Sequence, residues 1–398
     1  EMRKIKVLHI ITRLILGGAQ ENTIFTVWGL NKSDCYEVEL ATGPPIGPEG
    51  SLIEEAKKRG IKLKIMPSMR REINLFRDLL AFIELYLLIR KGKYTIVHTH
   101  SSKAGILGRL AARIAGVKII IHSVHGLPFF EYQNRFLNYI YILCERFAAL
   151  FTDRLISVCD AMARKAIAAG VAKEDKFTTI YSGIELNHYF NSDISIAEKQ
   201  KELNLDPDVP VVGNISRLFE LKGHNYLLEA ASQVVEVFPE AKFLLVGDGI
   251  LRERLIRQAE DLKIRNNIVF TGLVERKEIP RLISVMDVVV HTSLREGLPR
   301  VLPEALAMAK PVIAFEIDGM PEIIKDGENG YLIPPKDSRK LANSIIRLLQ
   351  DKEKARRMGE AGRGMVNPAF DLEVMVERIS DVYKESIEER GGVFKWWH

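Results

Sequence analysis

Short apolar runs alternate with longer helical patterns along almost the whole chain, and this alternation constrains the fold more than any other feature. The first series of runs is Lys6–Ile11, Tyr36–Thr42, Lys62–Ile65, Thr95–His98, Lys118–Val124 and Arg154–Val158. A second series follows at Val211–Ile215, Lys242–Val246, Ile268–Thr271, Val288–His291, Pro311–Phe315 and Gly330–Ile333. Uninterrupted apolar strands between helices are the pattern of parallel strands covered on both faces. The alternation therefore predicts an α/β fold with two doubly wound parallel sheets, one per series. A length of 398 residues agrees, being too long for one ordinary core. Asn191–Pro210, rich in Asp, Ser, Lys and Glu, is read as a linker. It divides the chain into an N-terminal domain of residues 1–190, the linker 191–210 and a C-terminal domain of residues 211–369. The helical pattern Leu372–Glu388 follows the second sheet, and residues 370–390 are expected to return to the first domain.

Composition narrows the class. The hydrophobic fraction of 47% and charged fraction of 27% are ordinary for a soluble protein. No apolar run is long enough for a transmembrane helix. Glu1–Ile11 enters a strand directly, without an apolar region and cleavage site, so no signal peptide is expected. Cys35, Cys144 and Cys159 are few, odd in number and far apart, which fits a reducing compartment and not a disulfide frame or thiolate metal site. Net charge is +5 but uneven. Residues 1–200 hold 28 Lys/Arg against 20 Asp/Glu, and the remainder holds 29 against 32. A basic first half suits an anionic partner such as a membrane surface or a lipid diphosphate. No dense basic stripe or nucleic-acid motif is present, so nucleic acid is not an expected partner.

Open α/β sheets bind ligands beyond the carboxyl ends of their strands, and the chemistry-bearing residues cluster at those positions. After the run Val288–His291 comes Glu296-Gly297-Leu298-Pro299-Arg300-Val301-Leu302-Pro303-Glu304, a loop turning into a helix. Such a turn offers free backbone N–H groups and a positive dipole end. Its two carboxylates, Glu296 and Glu304, are each able to hold a pair of hydroxyls. After Val211–Ile215 come Arg217 and Lys222-Gly223, a forked guanidinium and a point-charge ammonium flanking a turn, suited to a diphosphate. Gly17-Gly18 follows the first strand, and Gly247-Asp248-Gly249 follows Lys242–Val246. Neither completes G-x-G-x-x-G, which counts against a standard nicotinamide fingerprint. His98, His100 and His125 end strands in the first domain. His125, before Gly126, is the functional candidate, His98 reads as structural, and His100 is open between the two. No acidic partner at ligand spacing accompanies them, so no metal is expected there. Asp206-Pro207-Asp208 reads as a solvated turn and not a metal-binding D-x-D.

Taken together, these residues resemble the retaining glycosyltransferases of family 4, which have the GT-B fold: two Rossmann-like doubly wound parallel-sheet domains facing a central cleft. The resemblance is carried by the E-x7-E segment Glu296–Glu304, by Arg217 and Lys222-Gly223, and by His98-Thr99-His100, Val124-His125-Gly126, Tyr181-Ser182-Gly183-Ile184-Glu185 and Gly319-Met320-Pro321-Glu322. It implies that Arg217 and Lys222 grip the donor diphosphate and stabilise the leaving group. Glu304 would hold the ribose, and Val274 would lie against the base. Glu296, with the backbone of Gly297 and Leu298 beside Pro299, would bind the transferred sugar. Gly247 and Gly249 belong to the same donor set. His125 would contact the donor sugar near the reacting centre. Gly17, Gly18 and His100 would line the acceptor side, with Gly17 and Gly18 also near phosphate.

Within the family, the run from His98 to Arg109 looks like bacterial enzymes of capsule, exopolysaccharide or lipid-linked oligosaccharide assembly. This implies a UDP-hexose or UDP-N-acetylhexosamine donor, no cofactor or metal, and a glycan or polyprenyl-diphosphate-linked acceptor. The expected location is cytoplasmic, peripheral at the inner face of the cytoplasmic membrane. Two stretches bear on that location. Arg70–Lys93 reads as a helix covering the sheet. Phe129–Phe151, rich in aromatics, reads equally as a covering helix or as one resting on a membrane. The Trp-containing end, Gly391–His398, is assigned no role. A sugar-nucleotide epimerase and a non-catalytic sugar-nucleotide-binding protein are the alternative readings; intact Glu296, Glu304, Arg217 and Lys222 favour transfer over both.

Overall fold

The computed structural model describes residues 4–46, 50–190 and 194–391. Asn191–Asp193, at the head of the expected linker, and the final stretch Gly392–His398 lie outside the described residues. The chain forms two compact units. One runs to Gly183 and resumes at Leu372; the other is Ile184–Asp371.

The first unit is built on a seven-stranded parallel sheet. Its strands are β1 (Ile5–Arg13), β2 (Tyr36–Gly43), β3 (Lys62–Ile65), β4 (Ile96–His100), β5 (Ile119–Val124), β6 (Arg154–Ser157) and β7 (Phe177–Thr179). Their order is β3-β2-β1-β4-β5-β6-β7, so the chain reverses its direction of travel between β1 and β4. Alternate residues face opposite sides of the sheet, and each side has its own core. On one side Val7, Ile11, Ile96 and Ile121 pack beneath the helices Gly18–Asn31 and Leu372–Glu389, the latter contributing Met375, Ile379, Val382 and Tyr383. On the other side Leu8, Ile10, Val97 and Ile120 pack beneath the helices Leu75–Gly92 and Ser102–Ile114.

The second unit holds a six-stranded parallel sheet. Its strands are β8 (Val211–Ile215), β9 (Lys242–Val246), β10 (Ile268–Gly272), β11 (Val288–His291), β12 (Val312–Phe315) and β13 (Gly330–Ile333). The order β10-β9-β8-β11-β12-β13 puts the reversal between β8 and β11.

Three local features differ from the sequence expectation. β7 is a short strand of half-buried Phe and Thr, with no apolar run to mark it. The stretch read as a linker contains the helix Ile196–Glu202, capped by Ser195. Lys199 on that helix is buried because Glu202 (2.6 Å) and Glu278 (2.8 Å) pair with it, which ties the helix into the second unit. The chain also enters the second unit earlier than expected, at Ile184.

Candidate functional site

In the second unit the reversal between β8 and β11 brings two loops together, and three hydrogen bonds to backbone carbonyls join them. Leu294 N donates to Leu221 O (2.8 Å), Thr292 Oγ1 to Lys222 O (3.0 Å) and Ser293 Oγ to Leu221 O (3.1 Å). Gly223 is required here. Its φ is +69°, and a Cβ would lie 2.0 Å from Thr292 O. This packing sets the Lys222 ammonium against the Glu296 carboxylate in a direct ion pair. His291, the last residue of β11, bonds the same carboxylate oxygen through Nε2 (3.1 Å). Burial alone would raise the Glu296 carboxyl, but the ammonium of Lys222 and the hydrogen bond from His291 outweigh it and hold the group well below the usual carboxylate range. The Glu296 backbone N–H donates to Asp318 Oδ2 (2.9 Å), fixing the loop to the turn before Gly319.

Glu304 lies in the first turn of the helix Val301–Ala307 and is buried. Arg276 Nη2 reaches its Oε1 at 3.1 Å, and Arg300 Nη2 stands 3.7 Å away. Arg276 follows the half-buried Val274 in the loop after β10, so Val274 and Glu304 are drawn to one neighbourhood. The Tyr189 phenol is pushed well above its usual range by burial and by the Glu304 carboxylate beside it.

Gly247 and Gly249 have a packing reason of their own. A Cβ on Gly247 (φ +130°) would lie 2.2 Å from Ser216 O, and Gly249 is closed off in the same way by Leu218 O. The two loops are cross-linked by Leu218 N to Asp248 O (2.9 Å) and Leu251 N to Leu218 O (3.0 Å). These glycines therefore fix the loop that carries Arg217, whose guanidinium lies over the Phe219 ring (5.2 Å). Gly297, Leu298 and Pro299 are buried within the Glu296 loop. Asp206–Asp208 forms a turn closed by Val209 N to Asp206 O (3.2 Å).

In the first unit the reversal lies between β1 and β4, and Gly17 and Gly18 open the helix that follows β1. His100 ends β4 and His125 follows β5; His100 Nδ1 and His125 Nε2 are 3.0 Å apart. A cavity of about 220 Å³ beside them is lined by Ala19, Ser101, Ser102, His122, His125, Leu127 and Glu145 among others. His98 is fully buried and bonded to Tyr383 and Ser123. His9, His98 and His100 sit close enough to suggest a metal, but their rings stack at centroid distances of 4.5–5.1 Å. Every nitrogen of the three has a hydrogen-bond partner.

Several site residues escaped the sequence. His291 carried a signal, a strand-end histidine just before Glu296. Asp318 precedes Gly319-Met320-Pro321-Glu322, a stretch already singled out. His9, Tyr189, Arg276 and Tyr383 had none, since their partners are distant in sequence.

Comparison with known proteins identifies the family. Residues 17–188 match the family described as Glycosyltransferase Family 4, and residues 195–365 match Glycosyl transferases group 1. The UDP-Gal:alpha-D-GlcNAc-diphosphoundecaprenol alpha-1,3-galactosyltransferase of Escherichia coli is 30% identical over 96% of this chain and 98% of its own. The capsular polysaccharide biosynthesis glycosyltransferase CapM of Staphylococcus aureus is 28% identical over 85% of this chain and 89% of its own. Among solved structures, Anabaena HepE in complex with UDP-glucose superposes with a TM-score of 0.82 at 23% identity, covering 96% of this chain and all of that one. The sucrose-phosphate synthase of Thermosynechococcus elongatus gives 0.83 at 20% identity, covering 97% and 100%. The chain belongs to the family 4 glycosyltransferases, has the GT-B fold and is a glycosyltransferase; the epimerase and the non-catalytic binder are set aside.

Proposed function

We propose that this enzyme transfers a hexose or N-acetylhexosamine from a UDP-sugar, with retention and without a metal, to a polyprenyl-diphosphate-linked or glycan acceptor. The observation that carries the reading is the pairing of Lys222 with Glu296, beside His291, at the chain reversal of the second sheet, where such sheets bind ligands. Glu304, gripped by Arg276 near Val274, is the ribose site, with the base along Val274. Lys222 and Arg217 hold the diphosphate. Glu296, already ionised and oriented, accepts hydrogen bonds from the hydroxyls of the transferred sugar. In the first unit His125 hydrogen-bonds a substrate hydroxyl, and Gly17, Gly18 and His100 lie on the acceptor side.

The chemistry follows from charge. The bond between the anomeric carbon and the β-phosphate oxygen breaks, and negative charge collects on the diphosphate. Two fixed cations meet that charge as it develops, which is where preorganised electrostatics lowers a barrier most. The acceptor oxygen attacks from the face the diphosphate leaves, and its proton passes to the departing phosphate oxygen. The relative named for a UDP-Gal donor and a GlcNAc-diphosphoundecaprenol acceptor supports this choice of substrates.

A membrane-facing role is supported by the helices Leu75–Gly92 and Arg135–Ala149, which flank the helix Ser102–Ile114. Ala81, Leu85 and Ile89 bury the inner stripe of the first. Its remaining face still exposes Leu75 (89%), Phe76 (70%) and Leu87 (59%), and the second helix exposes Phe136 (73%) and Phe147 (53%). Arg70, Arg71, Arg77, Arg90 and Lys91 accompany them. Apolar residues flanked by cations suit an anionic bilayer surface. Among the described residues no helix is long and apolar enough to cross a membrane.

The test is transfer from UDP-glucose, UDP-galactose, UDP-GlcNAc and UDP-GalNAc to a synthetic polyprenyl-diphosphate-GlcNAc. Turnover of one donor, lost in Lys222→Ala, supports the reading. Steady release of free sugar with no acceptor present, or no turnover with any of the four, contradicts it. Sedimentation with anionic vesicles at low salt, weakened by Phe76→Ser, tests the surface.

A further inference from the structure

Five polar side chains run through the apolar core of the first unit and end at His125. Strand register explains how they meet. His9 of β1 pairs with His98 of β4, and His100 of β4 pairs with Ser123 of β5. Residues in register across parallel strands share a face, so all of these side chains point to the side covered by the helix Leu372–Glu389. That helix lowers Tyr383 among them, fully buried. The contacts form one unbranched chain. Ser123 Oγ meets His98 Nε2 (2.8 Å), and His98 Nδ1 meets Tyr383 Oη (2.6 Å). Tyr383 Oη meets His9 Nε2 (3.0 Å), and His9 Nδ1 meets His100 Nε2 (2.8 Å). Finally His100 Nδ1 meets His125 Nε2 (3.0 Å).

Proton counting restricts this chain sharply. A neutral imidazole has one donor and one acceptor nitrogen, and a phenol donates once. Burial holds all four histidines neutral, His9 down to about 3 and His125 down to about 4, and keeps the phenol protonated. Only two arrangements then satisfy every bond and also give the phenol hydrogen a partner. In one, protons point from Ser123 toward His125 and all four histidines carry hydrogen on Nδ1. In the other, all bonds are reversed and all four carry it on Nε2. A mixed arrangement leaves two donors or two lone pairs facing each other, or the buried phenol hydrogen without a partner, which costs more than either.

We propose that this chain is a positioning device: Tyr383, His98, His9 and His100 act as one unit that decides whether His125 presents an N–H or a lone pair at Nδ1 to a substrate hydroxyl. The proposal rests on His125 facing substrate, as assigned above. When a substrate group bonds Nδ1, the whole chain takes the matching direction, with no net charge created. Tyr383, more than 250 residues from His125 in sequence, becomes a determinant of how His125 binds.

Nitrogen NMR of the full chain, labelled at histidine, tests this directly. The expected spectrum at pH 7 shows His9, His98, His100 and His125 neutral and sharing one tautomer. Any one of the four charged, or of opposite tautomer to the rest, overturns the proposal whatever the kinetics show. Tyr383→Phe removes only the hydroxyl that joins His98 to His9. It is expected to free the His98 tautomer from the other three and to lower kcat about 5- to 10-fold, the loss of one hydrogen bond, with donor KM within about twofold. A shared tautomer with unchanged Tyr383→Phe kinetics overturns the positioning role, and His125→Ala then reports separately whether His125 meets substrate at all. If Tyr383→Phe does not fold, the wild-type spectrum decides.

Discussion

The two sheets reverse direction in the same way but fill the reversal with opposite electrostatics. At the reversal between β8 and β11 opposite charges pair, Lys222 with Glu296, and Arg276, after β10, pairs with Glu304. Between β1 and β4 the side chains are neutral imidazoles bonded in series. The difference teaches that one topology supports two kinds of polar site. Loop side chains in the second unit keep their charges although largely or wholly buried, because a partner of opposite charge offsets desolvation. Side chains on the strands themselves lie in the core, where only neutral, fully bonded groups are tolerated. A diphosphate needs the first kind; recognition of a hydroxyl suits the second.

The largest effect separating the regions is expected at Lys222. In the proposed donor site Lys222→Ala removes a diphosphate ligand and strands Glu296, so kcat/KM should fall about 10-fold or more, the scale of a charge-assisted bond. Steady-state kinetics with donor varied would show it, and an unchanged rate would remove Lys222 from the donor site. Glu304→Ala comes next. With the ribose bond lost and Arg276 left without its partner carboxylate, donor affinity should weaken by about 10-fold while turnover of bound donor changes less.

Acid stability separates the imidazole chain from Glu296 by pH window. His9, His98 and His100 are neutral in the fold and protonate more readily unfolded. The unfolded chain thus binds more protons, and stability falls as pH drops below 6.5, by up to about 1.4 kcal/mol per unit for a fully buried group such as His9, until its folded value near 3 is passed. Glu296 is the opposite kind of group, with a depressed carboxyl. Its contribution is complete above 4.5 and fades only as pH falls below that. Thermal melts from pH 7 to 3 should therefore decline from 6.5 in wild type and in Glu296→Gln alike, with the two curves converging only below 4.5. Curves that converge near pH 6 would contradict the assignment. The smallest effect is expected from chelation: EDTA should leave the rate unchanged, because in the proposed site Arg217 and Lys222 supply the charge a metal would.

Much of this architecture was legible in the sequence. The runs Val211–Ile215, Lys242–Val246, Val288–His291 and Gly330–Ile333 coincide with strands because short, mostly apolar stretches suit a sheet covered on both faces, whereas Lys62–Ile65, Lys-Leu-Lys-Ile, alternates as an edge strand does. Phe177–Thr179 did not read as a strand because its edge position asks for no apolar run. Ile196–Glu202 read as linker because its charges look solvated, and only the pairing of Lys199 with Glu278, 79 residues away, shows otherwise. At the site, Lys222, Glu296 and Glu304 announce themselves by type and spacing near strand ends. His9 and Tyr383 do not. A histidine in the middle of an apolar strand and a tyrosine on a covering helix acquire meaning only when register and packing bring them within 3.0 Å.

The central claim is that the charged reversal of the second sheet is the nucleotide site. Calorimetric titration of UDP, GDP, ADP and dTDP into metal-free protein, with Lys222→Ala and Glu304→Ala alongside, addresses it most directly. The account predicts selective binding of UDP, weakened about 10-fold or more in both variants. Binding of none of the four, or UDP affinity that neither substitution changes, would contradict it.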